Sequence, residues 1–360
     1  MRSPEATVST SATGEAPERA RRFFDEALVA FDAAVVARGL VAERIAVAGR
    51  TAEMRFAGPA LHARLFPALA HLRVAGGDAS IVVHAFDSRS TEVRMPPPPW
   101  GRDDVVERGE IRDLRHGPLR IAFNVGSGML VAHDRDTGRA LVWTRDADAV
   151  PFYETASPVR PLLAWWLGDA GLQVVHAAAV GTGGRGVLLT GRGGSGKTTT
   201  ALLCVEAGWA YAGDNNLVLE SGNRLRGHAL YASATVRPGT LERMPRLRER
   251  LRNANRLEEE KGLLFVDDRG GGRMLPSFDV DAVLLPRVAG GTATRTAPAT
   301  AGECLAALAP SSLLPLPLAG HETFARLVAI ARSAPAHHLH LADDVADIPG
   351  VVGRFLGTTP

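Results

Sequence analysis

The run GRGGSGKT at Gly191–Thr198 constrains this chain more than any other feature, because its spacing, G-x-x-x-x-G-K-[ST], demands one local architecture. Small residues at Gly191, Gly193, Gly194, Ser195 and Gly196 let backbone amides curl around a bound anion, and a following helix turns its N-terminus towards it. The flanks meet that demand. Val187–Thr190 (VLLT) is an apolar strand, and Lys197–Ala207 is an amphipathic helix. In such a loop Lys197 bridges outer phosphate oxygens, Thr198 offers a hydroxyl to Mg2+, and Thr199 lies beside it in the first helical turn. A chance glycine-rich turn needs neither flank, so the segment reads as a nucleoside triphosphate site.

The elements around the loop are less usual. Leu172–Val180 and Gly186–Thr190 read as strands joined by Gly181–Gly184, so a hairpin enters the loop. After the helix, Trp209–Gly213 reads as a short strand ending at Asp214. Asn216–Glu220 and Leu225–Ala232 then form a second hairpin. Hairpins next to a phosphate loop predict a mixed or largely antiparallel sheet rather than a fully parallel one. Further on, Leu241–Arg256 reads as a basic helix-like run, Ala282–Leu285 as a buried strand, and Thr300 with Glu303 as a capping box opening a helix through Leu308. A helix over Glu322–Ser333, a strand over His337–Leu341 and a tail helix over Val345–Leu356 complete this half.

The first half carries its own pattern. Residues 1–18 read as a flexible tail. Phe23, Phe24, Leu28, Phe31 and Val35 give an amphipathic helix over Arg19–Arg38. Strands are expected at Arg44–Val47, Ala52–Phe56 and Ser80–Phe86, with a helix over Pro59–Leu72. Four successive prolines within Met95–Trp100 make a rigid connector. Strands at Leu119–Phe123, Met129–His133 and Ala140–Thr144 alternate with Gly and Asp turns, and a short helix follows at Val159–Leu167. The predicted organisation is therefore the tail at 1–18, an α+β accessory or substrate-recognition region at 19–150, and a nucleotide-binding catalytic domain at 151–360.

Composition narrows the function classes. With 46% hydrophobic and 22% charged residues among 360, wholesale disorder is excluded. Lys and Arg number 41 against 39 Asp and Glu, and this balance argues against nucleic acid or a membrane surface as partner. No stretch has the 18 or so uninterrupted apolar residues of a membrane span, and the N-terminus lacks the apolar core of a signal peptide. Two cysteines, Cys204 and Cys304, make no disulfide framework. A cytoplasmic location, with a homo-oligomer possible, is expected.

The segment HAAAVGTGGRGVLLTGRGGSGKTTTALLCVEAGWAYAGDN, from His176 to Asn215, resembles the catalytic domain of HPr kinase/phosphorylase and its serine-kinase relatives. The resemblance is strong over this segment and extends over roughly 155 to 355. It implies an α/β fold with a mixed sheet, similar to phosphoenolpyruvate carboxykinase, and dependence on ATP and Mg2+. That family has a histidine on the strand before the loop, matched by His176, and an Asp-Asp pair after the loop helix, which here reads Asp214-Asn215. The resemblance makes Asp214 the catalytic base, and a turn aspartate is the other reading. It makes Asn215 a metal ligand without the family's second negative charge, and it puts His176 on a phosphate or against Asp214, with a structural histidine equally open. The first 150 residues do not match HPr kinase. The chain looks more like HPr-kinase-related proteins of peptide-modification gene clusters, some of which phosphorylate a serine of a ribosomally made precursor peptide. The implied reaction is γ-phosphoryl transfer to a serine-type hydroxyl of a protein or peptide. A non-catalytic ATP-binding module and a small-molecule kinase remain the alternatives.

Other charged groups carry weaker signals. Arg237 and Lys261 are candidates to stabilise transferred charge, with surface ion pairs as the default reading. The six arginines of Leu241–Arg256 suit an acidic peptide or a solvated helix face. His337, His338 and His340 lack a recognised zinc spacing. Asp267-Asp268 and Asp343-Asp344 read as loop surface.

Overall fold

The computed structural model describes residues 12–106, 108–114, 117–266, 273–313 and 320–357. They fall into two compact units, one drawn from Met1–Ala42, Glu53–His62 and Ser80–Ala149, the other from Glu43–Ala52, Ala63–Ala79 and Val150–Pro360.

In the first unit, helix α1 (Ala12–Arg38) begins upstream of Arg19, inside the segment read as a tail. Its stripe of Phe23, Phe24, Ala27, Leu28 and Phe31 packs with Ile121, Leu130, Ala132 and Leu141 in one core. Strands β1 (Leu40–Val47) and β2 (Arg50–Ala57), whose stretch Glu43–Ala52 is grouped with the second unit, precede helix α2 (Pro59–Leu65), strand β3 (Ala79–Asp87) and the single turn α3 (Ser88–Thr91). Strands β4 (Leu119–Asn124), β5 (Met129–Asp134) and β6 (Arg139–Thr144) follow as an antiparallel meander. Strand β6 returns parallel to β3, and the six-stranded sheet has the order β1-β2-β3-β6-β5-β4. At the β5–β6 turn the fully buried Asp134 accepts from Arg21 of α1 at 2.6 Å and from the Thr137 hydroxyl at 2.5 Å. The helix expected through Leu72 stops at Leu65. Pro67 cannot sit in a helix interior, and the chain continues as two 3-10 turns, Phe66–Ala68 and Ala70–Leu72.

From Val150 onward the second unit runs through α4 (Phe152–Ala156), α5 (Arg160–Asp169), β7 (Gln173–Val175), β8 (Ala178–Thr182), β9 (Arg185–Leu189) and α6 (Lys197–Glu206). It continues with β10 (Ala210–Gly213), β11 (Leu217–Glu220), β12 (Arg226–Ala229), β13 (Ser233–Val236), α7 (Pro238–Arg243) and β14 (Gly262–Phe265). It closes with β15 (Ser277–Val288), β16 (Arg295–Ala299), α8 (Ala301–Leu313), α9 (His321–Ser333), β17 (Ala336–Leu341) and α10 (Ile348–Gly353). The main sheet has the order β10-β8-β9-β15-β12-β11-β7, with β17 on β15 and β16 on β17. It is mixed: β15 runs parallel to β9 and β17, and the other pairs are antiparallel.

Alternation along the central strands makes three layers. Val187, Leu189, Ala282 and Leu284 face α6 and α10, while Leu188, Val283 and Leu285 face α8 and α9. Helix α6 thus packs onto the sheet through its own Ala201 and Cys204, and its Leu202 joins β13, β14 and α7 in a third cluster. Each fully buried leucine of this kind contributes about 1.5–3 kcal/mol.

The strand expected over Leu172–Val180 is two strands. β7 and β8 lie far apart in the sheet order, yet only His176 and Ala177 separate them. β10 and β11 are likewise separated only by Asp214–Asn216. The sheet must therefore curl so that both pairs of strand ends meet, because two or three residues span only about 10 Å. His176 lies at one of these crossings, not on a strand. Leu225–Ala232 also divides, its last residues leading into β13, which pairs with β14 in a separate two-stranded sheet. The basic run is no single helix, since Pro245 opens a 3-10 segment, Pro245–Arg250, after α7. No helix among the described residues is long and apolar enough to cross a membrane.

Candidate functional site

The loop Gly191–Thr198 leaves β9 and enters α6 at the carboxyl end of the central strands. Its glycines are needed by conformation and by space. Gly191, Gly194 and Gly196 have φ of +149°, +83° and +108°, and a Cβ on Gly196 would stand 2.3 Å from Leu341 Cδ1. The Ser195 hydroxyl is buried and has no partner among the described residues. Lys197 is 6% exposed, and its ammonium donates to the Gly191 carbonyl at 2.7 Å and the Arg192 carbonyl at 3.2 Å. Burial, reinforced by Lys261 and Arg237, holds the Lys197 ammonium below the usual lysine range despite Asp214.

The two strand crossings bring the other groups to the helix N-terminus. Asp214 is 1% exposed; its carboxylate accepts from the Thr198 hydroxyl at 2.6 Å and from the Asn215 amide at 2.9 Å. Burial raises its pKa, and the Thr198 bond and Lys197 oppose the shift. Asn215 takes a left-handed φ of +75°, a conformation asparagine tolerates, and its side-chain amide donates to Thr235 Oγ1 at 3.0 Å. His176 donates its main-chain amide to Ser312 Oγ at 3.0 Å, and its ring bonds the Asn215 main chain. Burial, with Lys197, Arg160 and Lys261 nearby, pushes the imidazole down to about 4, so it is neutral at physiological pH.

These groups surround a cleft of about 360 Å³. His176, Gly193, Gly194, Gly196, Lys197, Thr198, Thr199 and Asn215 line it; Gly191, Ser195 and Asp214 stand behind that wall. Arg237, at the end of β13, and Lys261, just before β14, line it as well, and neither makes an ion pair among the described residues. Arg237 keeps an exposed side chain, and Lys261 is partly buried. Burial and Arg237 lower the pKa of Lys261. Thr200, Thr235, Thr240 and Arg243 also line the cleft, and one side is apolar: Val288 at the end of β15, Leu341 at the end of β17, then Ala342, Val345 and Ile348. Sequence reasoning missed this wall because these residues are indistinguishable from core until the fold brings them beside the loop.

Other candidates lie elsewhere. Of the arginine run, Arg243 reaches the cleft, Arg252 stacks over Phe265 at 5.6 Å, and Arg256 pairs with Glu259 and Glu260. His338 bonds Glu303, the same residue that closes the capping box with Thr300. Among the described residues no three His, Cys, Asp or Glu side chains gather as a metal site. Asp267 and Asp268 lie outside the described residues. Asp343 accepts from the Gly291 amide, and the Asp344 carboxylate accepts from the Ala346 amide.

No family model matches the chain, and no curated protein matches it. Among solved structures, the Hpr(Ser) kinase/phosphatase from Coxiella burnetii aligns with 51% of this chain and 94% of its own, at 14% identity and a TM-score of 0.29.

Proposed function

We propose that the cleft binds ATP with Mg2+ and that the chain is an HPr-kinase-like phosphotransferase of the phosphoenolpyruvate-carboxykinase-like fold. The γ-phosphoryl group would pass to a serine-type hydroxyl of a protein or peptide. One observation carries the reading: Lys197, Arg237 and Lys261 converge on a glycine-rich helix N-terminus beside an apolar wall, with the single buried carboxylate of Asp214 acting on both lysines. Such mutual repulsion is relieved by a polyanion, and the apolar wall suits a nucleobase.

The residues fit the ligands. The orphaned Ser195 hydroxyl and the close-packed glycines suit a phosphate, and Lys197 can exchange its two loop carbonyls for phosphate oxygens. Thr198 donates its proton to Asp214 and keeps lone pairs for a metal. The Thr198 hydroxyl and the Asn215 side-chain oxygen would hold Mg2+ together with substrate phosphates and waters, which leaves the Asp214 carboxylate for the proton. Mg2+ bound there would neutralise charge on the phosphoryl oxygens. Asp214, its basicity raised by burial, would take the proton of the acceptor hydroxyl. His176 would hold the Asn215 main chain as a neutral ring.

A second reading, an ATP-binding module without transfer chemistry, is favoured by one observation: Asn215, not Asp214, faces the cleft. Transfer from γ-labelled ATP to serine-containing peptides and to cell lysate separates the two. Label that appears with wild type and disappears in Lys197→Ala and Asp214→Asn supports the kinase. ATP bound with no label on any acceptor supports the module.

A further inference from the structure

A second cavity lies within the first unit and has a volume of about 880 Å³. Its lining is mainly apolar. Phe23, Trp100, Phe123 and Trp143 supply aromatic surface, and Pro96–Pro98 supply a proline wall. The cavity is built to stay open. Trp100 meets Phe23 edge to face at 4.8 Å, and the Trp143 indole donates to Ser88 Oγ at 2.9 Å. The four prolines fix their own φ and have no N–H with which to collapse onto the sheet.

Charge gives the occupant its sign. Arg94, Arg102 and Arg145 line the cavity, all three are exposed, and no Asp or Glu lines it. Among the described residues none of the three has an ion-pair partner. The nearby Asp146 is taken by Arg89, and Asp104 accepts from the Gly101 amide. The main chain gives the occupant its class. Among the described residues no main-chain amide donates to the carbonyls of Arg94–Pro99, which leaves these acceptors to the amides of a docked segment. An extended peptide supplies N–H donors, apolar side chains and carboxylates together; a fatty acid supplies no donor.

We propose that this cavity docks an acidic peptide segment, with a bulky apolar side chain in the aromatic pocket and flanking Asp or Glu on the three arginines. The proposal is independent of the nucleotide reading. The probe is a fluorescein-labelled peptide with a Phe-Leu core flanked by Asp-Glu pairs, titrated with the full chain by fluorescence anisotropy. Saturable binding is expected, weakened about tenfold or more when Lys replaces the acidic flanks and in the Arg94→Glu/Arg145→Glu variant, which alters only exposed side chains. Affinity should also fall as salt rises from about 0.05 to 0.5 M. Absence of binding, equal binding of acidic and basic peptides, or unchanged affinity in the arginine variant overturns the proposal. Displacement by laurate at concentrations below the peptide Kd would overturn it in favour of a small amphiphilic acid.

Discussion

His176 gives a pH signature that follows directly from its burial. In an unfolded chain its imidazole titrates near 6.5; in the fold it is pushed down to about 4. Between these values the unfolded state binds more protons, so stability rises with pH across this window. The His176 contribution is unpenalised above about pH 6.5 and is lost progressively as pH falls towards 4. At pH 5, relative to pH 7.5, the two constants give a loss on the order of 2 kcal/mol from this one side chain. For a unit of 150–250 residues that corresponds to about 4–8 °C in Tm. Wild type and His176→Gln should be melted at pH 7.5 and pH 5 and followed by near-UV circular dichroism. Other titrating groups act on both proteins, so the comparison isolates His176. The wild-type Tm should fall further than that of the variant by about 4–8 °C. Parallel falls would show that His176 is protonated in the fold, which would refute its assignment as a neutral clamp on Asn215.

Three further outcomes follow from the same geometry. Gly196→Ala forces a Cβ towards Leu341 at a φ of +108°, so it should destabilise by about 1–3 kcal/mol and abolish ATP binding; an unchanged urea midpoint with unchanged affinity contradicts this. Asp214→Asn removes a carboxylate whose charged form is disfavoured by burial, so its Tm should equal or exceed that of wild type while γ-label transfer is lost. A marked fall in Tm would mean that the charge is structural. Arg21→Ala leaves Asp134 buried with only neutral donors and should cost about 1–3 kcal/mol in chemical unfolding, whereas Arg21→Lys should cost less.

The sequence was most readable where a local pattern needs no distant partner. The loop, its strand and its helix, the meander over Leu119–Thr144, and the Thr300–Glu303 capping box all stand as expected, because spacing, turn residues and caps act within a few positions. It was least readable where tertiary pairing decides. Nothing local marks the bend at His176, since Val175 and Ala178 are apolar on both sides and the curl of the sheet sets the crossing. β16 was missed because Arg295–Ala299 is largely exposed and contains Pro298, both weak strand signals, and its pairing with β17 creates it. The same limit applies to the site. Arg237 and Lys261 look like surface charge along the chain, yet they sit beside Lys197 because β13 and β14 pair behind α6.

The most direct test of a nucleotide site at this cleft is calorimetric titration of wild type and Lys197→Ala with ATP in the presence of Mg2+. One-to-one binding by wild type, lost in Lys197→Ala while its far-UV spectrum and Tm are retained, is the predicted result. Absence of binding by the folded wild type, or equal affinity in both proteins, would contradict it.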